Sequence, residues 1–192
     1  MKRRRIRDIR YDELIDATIA AVHRRGFADV TMSEIAAEAG ASAASINYYF
    51  GSKDQLLAAT MRRLLSLLRA ALVKRLRGAE GPKARLSAII EANFDDTIYR
   101  ADMCSVWMQF WAVAPYRDSL SRLHRINRAR VRSHIAAEMR ALLPEGARDT
   151  AQDALQNYMD GVWLEAAQGG AALDAEAARK EALRVVGLIV DA

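Results

Sequence analysis

The 192-residue chain predicts an all-α fold of about nine helices, with an N-terminal three-helix unit and a C-terminal helical unit, and three observations carry this. Ala, Leu, Arg and Glu are abundant, residues that lose little side-chain freedom in a helix. Apolar positions recur at spacings of three and four, and no run of alternating β-branched residues has the period of a half-buried strand. The three Pro fall between these periodic segments, where they punctuate helices. At 52% hydrophobic and 28% charged, the chain is long enough to bury a sizeable core.

From Asp12 to Arg25, Leu14, Ile15, Ile19 and Val22 share one helix face, and Gly26 follows as a stop signal. Thr31 precedes Met32, with Glu34 three residues on. This is a capping box, in which each side chain satisfies a free backbone donor at the start of a second helix that runs to about Ala39. Gly40 supplies the permissive backbone of a tight turn, Ser42 caps again, and AASINYYF forms a short third helix. Ser52 and Gln55 repeat the capping-box spacing, and KDQLLAATMRRLLSLLRAALVKRLR sustains apolar positions for about seven turns before Gly78, Gly81 and Pro82. Further periodic segments span residues 83–100, 103–113, 117–143, 147–169 and 174–190, separated by Pro115, Pro144 and Gly169-Gly170. Residues 1–51 form the first unit, including a basic N-terminal arm, and residues 52–192 the second.

The net charge of +5 is unevenly placed. Residues 1–10 carry six Lys/Arg against one Asp, whereas residues 145–192 carry four basic and nine acidic side chains, so the two ends suit different partners. The single cysteine, Cys104, excludes an intramolecular disulfide and any multi-cysteine metal site. The basic start runs into DELIDATIAAV, too short and too charged for a signal peptide or membrane span, so a cytoplasmic protein with no membrane partner is expected. No nucleophile elbow, phosphate loop, zinc-protease or dinucleotide motif is present, which argues against an enzyme and predicts no cofactor or metal. His23, His124 and His134 are isolated, the last two among Arg residues on a helix expected to be solvated.

Within residues 32–50, small Ala36 lets two helices approach, Gly40 makes the turn, and Ile35, Ala39 and Ile46 close a small shared core, the arrangement a helix-turn-helix requires. The stretch TMSEIAAEAGASAASINYYFGSKDQLL resembles the DNA-binding signature of TetR-type repressors without gaps. The resemblance implies that the third helix enters the major groove with Ser42, Ala43, Ala44, Ser45 and Asn47 facing base edges, where Asn47 can pair with adenine and the Ala methyls can meet thymine. Asn47 stands where the family often has Tyr, so the operator does not carry over. Tyr48, Tyr49 and Lys53 match positions that touch phosphates, with packing an equal reading for Tyr49, and Thr31 and Ser33 lie where a helix start can donate to phosphate. Lys2, Arg3, Arg4, Arg5 and Arg7 form a tail that either follows phosphates or the minor groove or is simply solvated.

One recognition helix reads only a few base pairs, so a homodimer on a palindromic operator is expected. Leu155, Met159, Val162, Ala166, Leu183, Val186 and Ile189 on the last two helices either supply a four-helix seam between chains or complete the monomer core.

In the second unit Trp107, Phe110 and Trp111 lie at i, i+3 and i+4, preceded by Phe94 and Tyr99 and followed by Tyr158 and Trp163. Such a cluster either lines a pocket whose ring faces attract a quaternary ammonium or is core. Asp95, Asp96, Asp102, Asp160 and Glu165 are nearby sources of negative charge. IRYDELIDATIAAV, LLAATMR, NFDDT, WMQFWA, LLP and DGVWL resemble the choline-responsive repressors of glycine betaine synthesis genes, the BetI type, over nearly the full length; Glu165 departs where that type has a basic residue. The resemblance implies choline or a related trimethylammonium compound as inducer, bound by Phe94, Asp95, Trp107, Phe110, Trp111, Tyr158, Asp160 and Trp163, and control of choline uptake and oxidation to betaine. A multidrug-pump repressor induced by lipophilic cations is the alternative within the class, and an architectural DNA binder without ligand the alternative outside it.

Overall fold

The computed structural model describes residues 6–169 and 173–191. The expected basic tail at Lys2, Arg3, Arg4 and Arg5 lies outside the described residues, as does Gly170. Among the described residues there are nine α-helices and no strand. They are α1 (Ile6–Arg25), α2 (Met32–Glu38), α3 (Ala43–Phe50), α4 (Lys53–Leu76), α5 (Gly81–Ala92), α6 (Ala101–Val113), α7 (Asp118–Leu142), α8 (Glu145–Gln168) and α9 (Ala175–Val190).

The caps form where local chemistry calls for them. Thr31 Oγ1 accepts from the Glu34 N–H at 3.2 Å while the Glu34 carboxylate accepts from the Thr31 N–H at 2.8 Å, closing the full box at the start of α2. Ser42 accepts from Ser45 N–H at 3.1 Å. At α4 only half of the expected box forms: Ser52 accepts from the Gln55 N–H at 3.2 Å. Gly40 and Gly51 adopt φ of +55° and +78°, the left-handed backbone that ends α2 and α3 so tightly.

Two segments differ from expectation. Helix α1 begins at Ile6 rather than near Asp12, because its first turns bury nothing (Ile6 is 86% exposed) and so leave no apolar stripe to read. Helix α5 stops at Ala92 rather than continuing to residue 100. There the Asp95 carboxylate accepts from the Thr97 N–H at 3.1 Å and hydroxyl at 2.8 Å, offering the backbone a turn that competes with the helix.

Leu14, Ile15, Val22, Ile35 and Ile46 bury the α1–α3 unit's interior, and Leu56 and Leu57 of α4 join it. Each such side chain contributes about 1.5–3 kcal/mol on leaving water. Helix α4 then runs on to pack against α5 and α7, while α6 lies between α1 on one side and α8 on the other. Both α4 and α6 therefore reach from the three-helix unit into the rest of the chain.

Candidate DNA interface and ligand pocket

Helix α3 is divided by its own period. Ile46 and Phe50 point inward, with Phe50 stacked at 4.7 Å on Tyr11 of α1. Ser42, Ala44, Asn47 and Tyr48 are exposed, and Ala43 and Ser45 half-buried. The outer face thus presents Ala44, Asn47 and Tyr48 together, at spacings that share one side of a helix. Tyr48 is 76% exposed; Tyr49 is half-buried and meets it edge-on at 5.4 Å, with Phe50 on the other side at 6.4 Å. Lys53 donates to the Ala28 carbonyl at 2.9 Å, which ties the start of α4 to the α1–α2 turn. Thr31 and Ser33 are exposed at the start of α2. The Glu34 carboxyl is held below its usual range by hydrogen bonds from the Thr31 N–H and hydroxyl and by the neighbouring Arg25 charge, although burial opposes this.

A narrow cavity of about 30 Å³ lies among α4, α6, α7 and α8. Leu64 and Leu68 form its α4 wall, Trp107 and Trp111 its α6 wall, and Gln156, Met159, Asp160 and Trp163 its α8 wall. Trp107 and Trp163 meet at 5.6 Å between ring centroids. The Trp163 indole N–H donates to the Asn93 carbonyl at 3.1 Å, which fixes that ring. Asp160 pairs with Arg128 of α7 and accepts from Gln156 at 3.2 Å, and the Arg128 guanidinium lies 5.8 Å over the Trp111 ring.

Of the eight residues expected at the ligand, the pocket brings together Trp107, Trp111, Asp160 and Trp163. Phe94 is fully buried in the core, edge-on to Tyr99 at 5.3 Å, and Phe110 packs into the core beside His124. Asp95 is consumed by its turn with Thr97 and by Arg75 at 3.5 Å; burial raises its pKa, but these partners more than offset that and hold it below the carboxylate range. Tyr158 lines a separate open groove between α8 and α9, together with Glu165. Asp96 and Asp102 pair with Arg179 and Arg100. The pattern missed Asn127, Arg128 and Gln156, polar residues with no aromatic signal of their own.

His124 and His134 are half-buried rather than solvated, because α7 packs against both α5 and α8. Burial and then the charge of Arg128 lower the His124 pKa, with Asp160 opposing. Among the described residues no group of three or more His, Cys, Asp or Glu is placed to hold a metal ion, and no helix is long and apolar enough to cross a membrane.

Of the residues expected at a seam between chains, Leu155, Met159, Ala166 and Val186 are buried in the chain's own core, and Val162, Leu183 and Ile189 are half-buried. The large apolar residues that α8 and α9 do expose are Leu164 and Leu188, 47% and 76% exposed.

A helix-turn-helix carried on a helical body is the layout of a DNA-binding transcriptional regulator. The comparisons specify it. Residues 14–60 match the model of bacterial regulatory proteins of the tetR family, and residues 82–190 match that of the BetI-type transcriptional repressor C-terminal domain. The HTH-type transcriptional regulator BetI of Burkholderia mallei is 39% identical, covering 91% of this chain and 90% of that protein. Its counterpart in Burkholderia thailandensis is 37% identical over 96% and 95%. A transcriptional regulator from Saccharomonospora viridis, crystallised with choline, superposes with a TM-score of 0.77 at 22% identity, covering 92% of this chain and 94% of that one. The chain belongs to the TetR family and is a transcriptional repressor of the BetI type, not an enzyme.

Proposed function

We propose that this repressor binds a palindromic operator as a homodimer and is released by choline or a related trimethylammonium compound, controlling genes for choline uptake and glycine betaine synthesis. Residues 1–51 carry DNA binding and residues 52–192 ligand binding and dimerisation. The observation that carries the ligand reading is the pocket that joins Trp107, Trp111, Trp163 and Asp160 in a chain this similar to BetI regulators. Ring faces attract a quaternary ammonium by their quadrupole. The choline-crystallised regulator of the same fold supports the same class of ligand.

On the DNA side, Ala44 and Asn47 face base edges, while Tyr48, Lys53 and the start of α2 hold phosphates. Ser42, Ala43 and Ser45 shape the groove contact, Thr31 and Ser33 donate at the start of α2, and Tyr49 braces Tyr48 from its half-buried position. Leu164 and Leu188 on α8 and α9 supply the seam between protomers. A ligand releases DNA only if it binds better to a conformation whose recognition helices no longer match the half-site spacing.

The test is the affinity of the purified protein for its own upstream promoter region at one salt concentration, titrated with choline, glycine betaine and a lipophilic dye cation. Release by a trimethylammonium compound and not by the dye is expected. Release by the dye alone would reassign the protein to efflux control, and no release by any would leave a DNA binder without this ligand class. Asn47→Ala should relax preference at one operator position, whereas Lys53→Ala should weaken all sequences alike.

A further inference from the structure

The pocket already contains a cation. Among the described residues, Arg128 and Asp160 are the two charged side chains that line it, and they neutralise one another. Both carboxylate oxygens of Asp160 are engaged, one by the Arg128 Nη1 and the other by the Gln156 amide at 3.2 Å. The guanidinium also covers one face of the aromatic wall, 5.8 Å from the Trp111 centroid. A bare cation entering this space must share a single carboxylate with Arg128 or break that pair, leaving a net positive charge in a largely apolar pocket. A ligand with an acid group of its own leaves the pocket neutral. Arg128 has the means to bind that group: among the described residues only its Nη1 makes a hydrogen bond, and a guanidinium presents a planar fork of donors that matches a carboxylate. Trp111, beside it, has a buried indole N–H with no acceptor among the described residues.

Resting on the reading of this site as a quaternary-ammonium pocket, we infer that its preferred ligand is zwitterionic: the ammonium group sits against the Trp rings and Asp160, the acid group on Arg128. Arg128 is then the residue that separates such a ligand from a bare cation of the same size.

The experiment is calorimetric titration of the full chain with glycine betaine, with betaine methyl ester, which keeps the trimethylammonium but loses the carboxylate charge, and with choline. A charge-assisted hydrogen bond is worth roughly tenfold or more in affinity, so the wild type should bind glycine betaine at least about tenfold more tightly than the ester or choline. Arg128→Gln should weaken glycine betaine by about tenfold or more and leave choline unchanged or tighter, reversing the order. The wild-type comparison of acid and ester decides the matter even if the variant does not fold. Choline or the ester binding as tightly as glycine betaine, or an Arg128→Gln loss equal for all three, would overturn the inference while leaving the trimethylammonium reading intact. Binding of none of the three would remove that reading, and this inference with it.

Discussion

Gln109→Leu tests whether the helix that lines the pocket also holds the DNA-binding unit. Gln109 lies on α6 between Trp107 and Trp111, yet its side chain reaches the end of α1: its Oε1 accepts from the Phe27 N–H at 2.5 Å, and its Nε2 donates to the Val22 carbonyl at 3.3 Å and to the Ser105 hydroxyl at 3.1 Å. Phe27 is 4% exposed, so loss of the acceptor strands a buried backbone donor, at about 1–3 kcal/mol. The Val22 carbonyl retains the Gly26 N–H at 2.9 Å, so its loss adds little. A net destabilisation of about 2 kcal/mol corresponds, for a chain of this length, to a fall in Tm of about 4–8 °C. Thermal melting followed by circular dichroism measures it. A Gln109→Leu melt within about 1 °C of wild type would refute the assigned role of this contact. Because Gln109 does not line the pocket, ligand affinity should hold while ligand-driven operator release weakens.

Acidification below about pH 6.5 should destabilise the fold through His124 and His134. Burial and then Arg128 depress the first against Asp160; burial, Arg130 and Arg85 depress the second against Glu138. Both are therefore neutral when folded, the unfolded chain takes up protons first as pH falls, and stability is complete above the unfolded pKa; the double variant His124→Asn, His134→Asn should flatten the drop in Tm between pH 7.5 and 5.5. Cys104, 0% exposed and pushed up to about 12 mainly by burial, should resist a thiol-specific disulfide reagent at pH 8 until denaturant is added, and rapid labelling of the native protein would contradict its placement. Gly40→Val should cost about 1–2 kcal/mol in denaturant melts and Gly40→Asn clearly less, since nothing lies within 4 Å of an added Cβ and only the φ of +55° penalises a side chain.

What the sequence made legible was local. Thr31 with Glu34, and Ser42 with the backbone three residues on, satisfy donors within one turn, so their spacing alone marks where α2 and α3 begin. The end of α5 was hidden because Asp95 and Thr97 sit within a run that still has helical periodicity; their side chains take over the backbone's hydrogen bonds without interrupting the apolar pattern. The aromatic half of the pocket was visible as Trp107 and Trp111, one helical turn apart. Phe110, one residue away, shares their chemistry and points into the core instead, a difference set by the rotation of α6 against its neighbours. Gln156 and Asp160 stand one turn apart on α8, but Arg128 arrives from α7, so its meeting with Asp160 is a tertiary fact that no spacing announces. The same holds for Gln109, whose partner Phe27 is 82 residues away.

These contacts bear on how ligand binding would reach the DNA under the proposed function. The three-helix unit is held from two sides. Two residues separate α4 from α3, and α4 carries Leu64 and Leu68 to one pocket wall; α6 contributes Trp107 and Trp111 to another and Gln109 to the end of α1. A ligand that wedges α6 away from α4 therefore pulls on α1 and α3 together. The interior shared by α1, α2 and α3, with Leu14, Ile35 and Ile46 at 0% exposure, is too closely packed to shear cheaply. The lower-cost response is for the unit to turn as one body, carrying α3 with it. In a dimer, two such turns change the separation of the recognition helices, whereas the surface each helix offers to its own half-site is preserved. Inducer and operator would then compete through half-site spacing alone, and an isolated half-site should be bound equally well with and without ligand.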